Sequence, residues 1–226
     1  MFMKTKILLS VLCFIVSTSA MSQVSIGVQG GGVYSTTKID GEIQLGQTLK
    51  TKSLLGWQAG IIADIPFGEG ALRLIPELNY VKKGFKLDAS GSFLGQPISI
   101  TGTSFINYLE LPVNLAFTVP SGDNFFVFGG GPYAAYGLSG KNKGSYTLSD
   151  IKTEEESDIE FGNNEEERKP FDYGLNFMAG YLMGNGAMLK FNYSLGLANI
   201  SNSEQTTYKN SYFGLTLGYF IRKAGK

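Results

Sequence analysis

YGLNFMAGYLMGNGAMLKFNYSLGL, residues 173–197, decides the fold. In its first half Tyr173, Leu175, Phe177, Ala179 and Tyr181 share one parity, and Gly174, Asn176, Met178 and Gly180 share the other. Beyond Gly184-Asn185-Gly186, Leu189, Phe191, Tyr193, Leu195 and Leu197 alternate with Lys190, Asn192, Ser194 and Gly196. Successive side chains of a strand point to opposite faces, whereas a helix would scatter these residues around its circumference. The stretch therefore predicts a β-hairpin closed by a tight turn.

Six further segments repeat the pattern. Val24, Ile26 and Val28 open the first, and Leu55, Trp57, Ala59, Ile61, Ala63 and Ile65 line the second. In the third, Leu72, Leu74, Leu78 and Tyr80 stand opposite Arg73, Glu77 and Asn79. In the fourth, Leu109, Leu111, Val113, Leu115 and Phe117 stand opposite Tyr108, Glu110 and Asn114. The fifth, FFVFGGGPYAAYGL (residues 125–138), is apolar on both parities, so alternation does not orient it. The eighth sets Phe213, Leu215, Leu217 and Tyr219 against Gly214, Thr216 and Gly218. Short turns at residues 66–70, 120–124 and 184–186 alternate with long polar stretches at 36–53, 84–104, 139–170 and 199–210. An even strand number with short periplasmic turns and long extracellular loops is the pattern of outer-membrane barrels. The expected fold is thus all-β: an eight-stranded antiparallel up-and-down transmembrane β-barrel.

The N-terminus fits that destination. Lys4 and Lys6 precede an apolar run from Ile7 to Val16, followed by small and polar residues, the layout of a secretory signal peptide. Residues 1–22 are read as signal peptide and 23–226 as the barrel domain, with cleavage after Ala20 as the competing choice. Cys13 is the only cysteine and falls within the signal, so the mature chain has no disulfide or thiolate metal site. Removing Lys4 and Lys6 from the 19 basic residues leaves 17 against 19 acidic ones, a net charge of −2 with no basic patch for nucleic acid. No later apolar run reaches the roughly 20 residues a membrane helix needs.

Alternation alone also suits a soluble periplasmic barrel carrying an apolar ligand, with the apolar face turned inward. Two features favour the membrane. An eight-stranded interior is only wide enough for side chains, and Gly, Asn, Ser and Ala fit it better than rows of large apolar residues. Arg73, Glu77, Glu110 and Lys190 share the polar parity and carry both signs, so inside a closed barrel they are expected to form a structural polar cluster. No catalytic residue is assigned. The chain has no His, which excludes the common His-based forms of acid–base and nucleophilic catalysis. Glu77 and Glu110 on adjacent strands form a conceivable carboxylate pair, but the ion-pair reading uses the same residues without requiring chemistry. No cofactor or metal is expected. Residues 150–169 hold nine carboxylates against Lys152, Arg168 and Lys169, a local charge of −6, and read as a solvated loop. Gly30-Gly31-Gly32 and Gly129-Gly130-Gly131 lack the helix and Lys-Ser/Thr of a phosphate loop and read as glycine kinks.

NYLELPVNLAF (107–117), FFVFGGGPYAAYGL (125–138), Asp172-Tyr173-Gly174 and GLANISNSEQTTYKNSYFGLTLGYF (196–220) resemble the PorT-like outer-membrane β-barrel family. The resemblance runs over nearly all of the mature chain and implies an outer-membrane location. A few members of that family are implicated in protein secretion or gliding machinery, and most have no assigned role. The chain departs from the common pattern in continuing from Ile221 to Lys226 beyond its last aromatic residue, Phe220. The implied role is a non-enzymatic structural or interaction component of the envelope, with a small pore as the alternative. Its expected partners are outer-membrane lipid, lipopolysaccharide and an envelope protein reached through the extracellular loops.

Overall fold

A computed structural model describes residues 24–41, 50–68, 70–93, 96–148 and 151–221. The expected signal peptide at 1–22 and the tail beyond Ile221 lie outside the described residues. Nine strands and no helix occur among the described residues: β1 (Ser25–Gly41), β2 (Lys50–Pro66), β3 (Leu72–Phe93), β4 (Gln96–Ser121), β5 (Asn124–Leu148), β6 (Ile151–Asp158), β7 (Phe171–Leu182), β8 (Ala187–Gly196) and β9 (Thr206–Ile221). Neighbours in sequence pair antiparallel, except that β7 pairs with β5. Pairing of β1 with β9, from Ile26↔Ile221 to Gly41↔Thr206, closes the ring. β6 hangs on the upper part of β5 alone, so eight strands form the barrel and the ninth is an outgrowth.

The three short turns carry Gly68, Gly122 and Gly186 at φ of 64°, 63° and 95°. A side chain there would meet the left-handed region that only glycine occupies without cost. The long connections differ from the expected loops. β3 and β4 stay in unbroken register from Gly84↔Phe105 to Phe93↔Gln96, and β5 pairs with β6 from Lys141↔Asp158 to Leu148↔Ile151. Antiparallel pairing satisfies the backbone there more completely than an irregular loop would. The 26 residues of β4 span about 85 Å at ~3.3 Å each, whereas crossing a bilayer takes only about 9–11. The hairpins therefore continue as sheet well beyond the lipid.

Ile26, Val28, Leu55, Trp57, Ile61, Leu109, Leu115, Phe117, Phe177, Phe191, Leu215 and Leu217 are exposed on the outer wall, while Gln29, Glu77, Asn79, Glu110, Asn114, Asn176 and Lys190 are buried within. Apolar out and polar in is the reverse of a soluble carrier, which removes that alternative. β5, which alternation left unoriented, turns Phe126, Phe128, Tyr136 and Leu138 outward and Val127, Tyr133 and Ala135 inward. Its double apolarity has a simple cause: its inward residues belong to apolar plugs at the two ends of the barrel. The periplasmic plug packs Ile62, Ile75, Ala116, Val127, Met178, Leu182, Met188 and Phe220. The extracellular plug packs Ile106, Tyr108, Tyr133, Ala135, Ile159, Ala198 and Ile200, with Phe161 and Tyr208 against it.

Ile159 and Phe161 lie inside the acidic stretch read as a solvated loop, and that reading needs correction on two counts. First, Lys141 and Lys143 sit across from the acids: Glu156 contacts their Nζ atoms at 2.5 and 2.8 Å, and Asp158 lies 3.5 Å from Lys141. These contacts hold the Glu156 carboxyl down to a pKa of about 2 and raise that of Lys141. Secondly, the segment after β6 folds back over the mouth. Ile159 N–H donates to Gly140 O, Lys169 N–H to Ile200 O, and Asn202 Nδ2 to the carbonyls of Gly162, Asn164 and Glu167. A Cβ on Gly137 would lie 2.7 Å from the Phe161 ring, so that glycine makes the seat for the ring.

Replacing residues 145–157 by a short Gly/Ser linker is expected to leave the heat-dependent gel shift of the folded barrel intact. Phe161→Ala is expected to lower stability by about 1–3 kcal/mol, read as an earlier midpoint in a denaturant titration. Glu156, whose pKa is depressed on folding, contributes stability present above the ordinary carboxylate range and lost as pH falls through about 2. Protection along β5 and β6, taken relative to the intrinsic amide exchange rate at each pH, should therefore hold at pH 5 and fall as the pH approaches 2; Glu156→Gln should weaken that dependence.

Candidate functional site

The barrel interior holds the densest chemistry in the molecule, because inward parity brings polar side chains from every strand of the ring toward one axis. Arg73, Glu77, Glu110 and Lys190 all point inward, yet they do not form one cluster. Arg73 contacts Asp64 near the periplasmic end and stacks over the Phe125 ring at 5.7 Å. Glu77 and Lys190 meet at 2.5 Å in the middle. Glu110 lies 2.5 Å from a third cation, Lys83, which also reaches Asp172 at 3.0 Å.

The middle pair is wrapped by amides. Gln29 Nε2 and Asn79 Nδ2 donate to Glu77 Oε2 at 2.7 and 2.9 Å, and Asn114 Nδ2 donates to Oε1 at 3.4 Å. Asn176 donates to Asn114, Ser194 donates to Asn176, and Gln58 bridges Asn192 and Thr216. Nearer the extracellular end, Lys83 Nζ sits 4.9, 4.5 and 5.4 Å from the ring centres of Tyr108, Tyr133 and Tyr212. Tyr212 Oη donates to Glu110 at 2.5 Å, while Tyr133 Oη and Asn210 Nδ2 donate to the two oxygens of Asp172. One cation thus serves two carboxylates, and aromatic faces and neutral donors satisfy what it leaves over. Glu77 and Glu110 do not form an acid–base pair, since each is held by its own lysine.

Lys83, Asp172 and Asp64 were absent from the sequence-derived cluster, although their parity was readable. Lys83 continues the inward series Glu77, Asn79, Val81 on β3; Asp172 shares the parity of Asn176; Asp64 alternates with outward Ala63 and Ile65. Among the described residues no group of three or more His, Cys, Asp or Glu is placed to hold a metal ion. A cavity lined in part by Thr37, Lys83, Arg168 and Asn210 and by the plug residues Ile106 and Ile200 measures about 20 Å³, room for one water and not for an organic ligand.

Breaking a buried pair from one side strands a charge, at a cost of about 3–5 kcal/mol. Lys190→Met and Glu110→Ala are each expected to destabilise the barrel by about that amount in a urea titration. Glu77→Gln combined with Lys190→Met should cost less than the sum of the two single changes, because both charges then leave together.

Residues 17–202 match the family model described as Outer membrane protein beta-barrel domain. No curated protein matches the chain. Among solved structures it is similar to Neisserial surface protein A, at 12% identity over 87% of this chain and 97% of that one, with a TM-score of 0.36. It is similar to OprG of Pseudomonas aeruginosa at 14% identity, 90% and 98% coverage and a TM-score of 0.38. The outer membrane protease OmpT of Escherichia coli aligns at 11% identity, 91% and 99% coverage and a TM-score of 0.39. With a family match over most of its length and a closed ring that is apolar outside and polar within, the chain belongs to the outer membrane protein beta-barrel domain family and resides in the outer membrane.

Proposed function

We propose that this barrel is a non-enzymatic, non-conducting interaction component of the cell envelope, engaging a partner protein through its extracellular hairpins. In this reading it stands with the PorT-like barrels whose motifs it resembles, as an accessory to protein secretion. The observation that carries the proposal is the filled interior: apolar plugs at both ends enclose a hydrogen-bonded ionic network. A pore needs a continuous wet path, and eight strands leave little lumen even before such plugs are added. An enzyme of the common hydrolytic kinds needs a base free to move protons, whereas the chain has no His and its inward carboxylates are each held by a cation. The hairpins, by contrast, place large areas of sheet outside the membrane.

The test is affinity capture from intact envelopes, comparing the full chain with the variant in which residues 145–157 are a Gly/Ser linker. A protein recovered with the full chain and lost with the variant supports the reading. Recovery no greater than with an unrelated barrel counts against it. In planar bilayers the purified protein is expected to give no reproducible single-channel steps; such steps would overturn the non-conducting assignment.

A further inference from the structure

Two of the buried ionic sites differ in their stoichiometry. Glu77 and Lys190 pair one to one, with amide donors from Gln29 and Asn79 completing the shell of Glu77 Oε2. Lys83 instead faces two carboxylates, Glu110 at 2.5 Å and Asp172 at 3.0 Å. None of these three residues is more than 1% exposed. Holding strands in register needs one carboxylate per lysine, and burying a second adds the desolvation cost of another ion. The second carboxylate therefore calls for a different account.

The geometry of the trio supplies one. Lys83 Nζ donates to Asp172 Oδ2. Glu110 Oε2 touches the same nitrogen and accepts a hydrogen bond from no other group among the described residues, so it is placed to take a proton from Nζ. Tyr133 Oη donates to Asp172 Oδ1 and Asn210 Nδ2 to Oδ2, both at 3.2 Å, and donors on both oxygens draw electron density from Cγ. The rings of Tyr108, Tyr133 and Tyr212 surround Nζ and shut out water. In water an ammonium and a carboxylate stay separate because hydration favours both ions. Here that hydration is gone, and joining them removes two buried charges at once. The strands also hold the two groups in contact, which replaces an encounter in solution by an intramolecular step.

We infer that Lys83 and Asp172 condense to an amide that crosses the lumen, with Glu110 carrying the protons. Nζ gives a proton to Glu110 Oε2, and the neutral amine attacks Cγ of Asp172. The Nζ–Cγ bond forms and the Cγ–Oδ2 bond breaks. Two protons of the ammonium, passed through Glu110, leave with Oδ2 as water, and the third stays on the amide nitrogen. Oδ1, held by Tyr133, becomes the amide oxygen, and Glu110 ends as the carboxylate it began as. The cavity of about 20 Å³ bordered by Lys83 and Asn210 has room for the one water released. The bond ties β3 to β7 and closes a loop spanning 89 residues, which restricts the unfolded chain. It requires neither a partner protein nor a particular orientation in the membrane.

Barrel extracted folded from outer membranes is unfolded, digested with trypsin and read by mass. Residues 83–86 should appear joined to residues 169–190, lighter than the two peptides together by one water. The cut after Lys190 serves as a control, since it requires a free amine on the lysine that pairs with Glu77. Chain held unfolded in urea should give the two peptides separately, and the joined peptide should accumulate on refolding into detergent. Glu110→Gln leaves Lys83 and Asp172 unchanged and should slow that accumulation at least about tenfold; Lys83→Arg and Asp172→Ala should abolish it. Separate peptides from the folded parent would overturn the inference whatever the variants do, so a variant that fails to fold leaves the decision with the parent. Accumulation at the parental rate in Glu110→Gln would overturn the role given to Glu110.

Discussion

In hydrocarbon every backbone N–H and C=O must find a partner within the protein, and a sheet meets that demand only by closing on itself. Here the closing contact is the long pairing of β1 with β9. Once eight strands close, the radius is set, and the inner space becomes a fixed volume to be filled by inward side chains. That limit explains why the inward parity is so rich in Gly, Asn, Ser and Thr, with its larger apolar residues gathered in the two end plugs and in a small cluster of Val33, Val81 and Tyr212. Gly214 shows the limit at one point: a Cβ there would lie 2.4 Å from Asn192 Oδ1 and 2.8 Å from Gln58 Nε2. The space it leaves belongs to the hydrogen-bonded network.

Ion pairs inside such a ring contribute less to net stability than to register. Taking Glu77 and Lys190 out of water costs several kcal/mol each, which their attraction only offsets. A one-residue slip of a strand, however, would turn every inward residue to the lipid. Lys190 would then face hydrocarbon at about 2–4 kcal/mol, and Leu189 or Phe191 would be forced into a lumen too narrow for them. Charges of both signs on β3, β4, β7 and β8 therefore lock four strands against slippage. Lys83 extends the same lock upward by holding β4 and β7 to β3 through Glu110 and Asp172.

The parity of the strands was legible in the sequence because lipid outside and a tight lumen inside impose opposite chemistry on alternate residues. It failed on β5, where both faces are apolar for different reasons: Phe126 and Phe128 meet lipid, whereas Val127 and Tyr133 enter the two plugs. Inward charges were legible singly but not in their pairing. Arg73 and Glu77 share a strand and a parity, yet Arg73 turns to Asp64 and Glu77 to Lys190, since the stagger between strands decides which heights meet. The long polar stretches were read as loops for want of an apolar face. Above the membrane both faces of a hairpin are wet, so the alternation that betrays a strand disappears while the backbone pairing continues. Ile159 and Phe161 were submerged in a run of carboxylates, and no local pattern announces that two apolar residues will fold back over a barrel mouth.

Extending strands past the membrane has a mechanical consequence that loops would not share. A paired hairpin keeps the twist and register of the barrel beneath it, so its surface is presented at a fixed angle with little conformational entropy left to lose on docking. It also exposes an edge. β6 ends the sheet, and an unpaired strand edge invites addition of any extended chain. Residues 154–156 on that edge are all glutamates, the charged blunting that opposes such indiscriminate pairing. Recognition at this end of the molecule is thereby shifted from backbone to side chains. The interior network fixes the strands, the strands fix the hairpins, and the charges along the hairpins determine what can approach them.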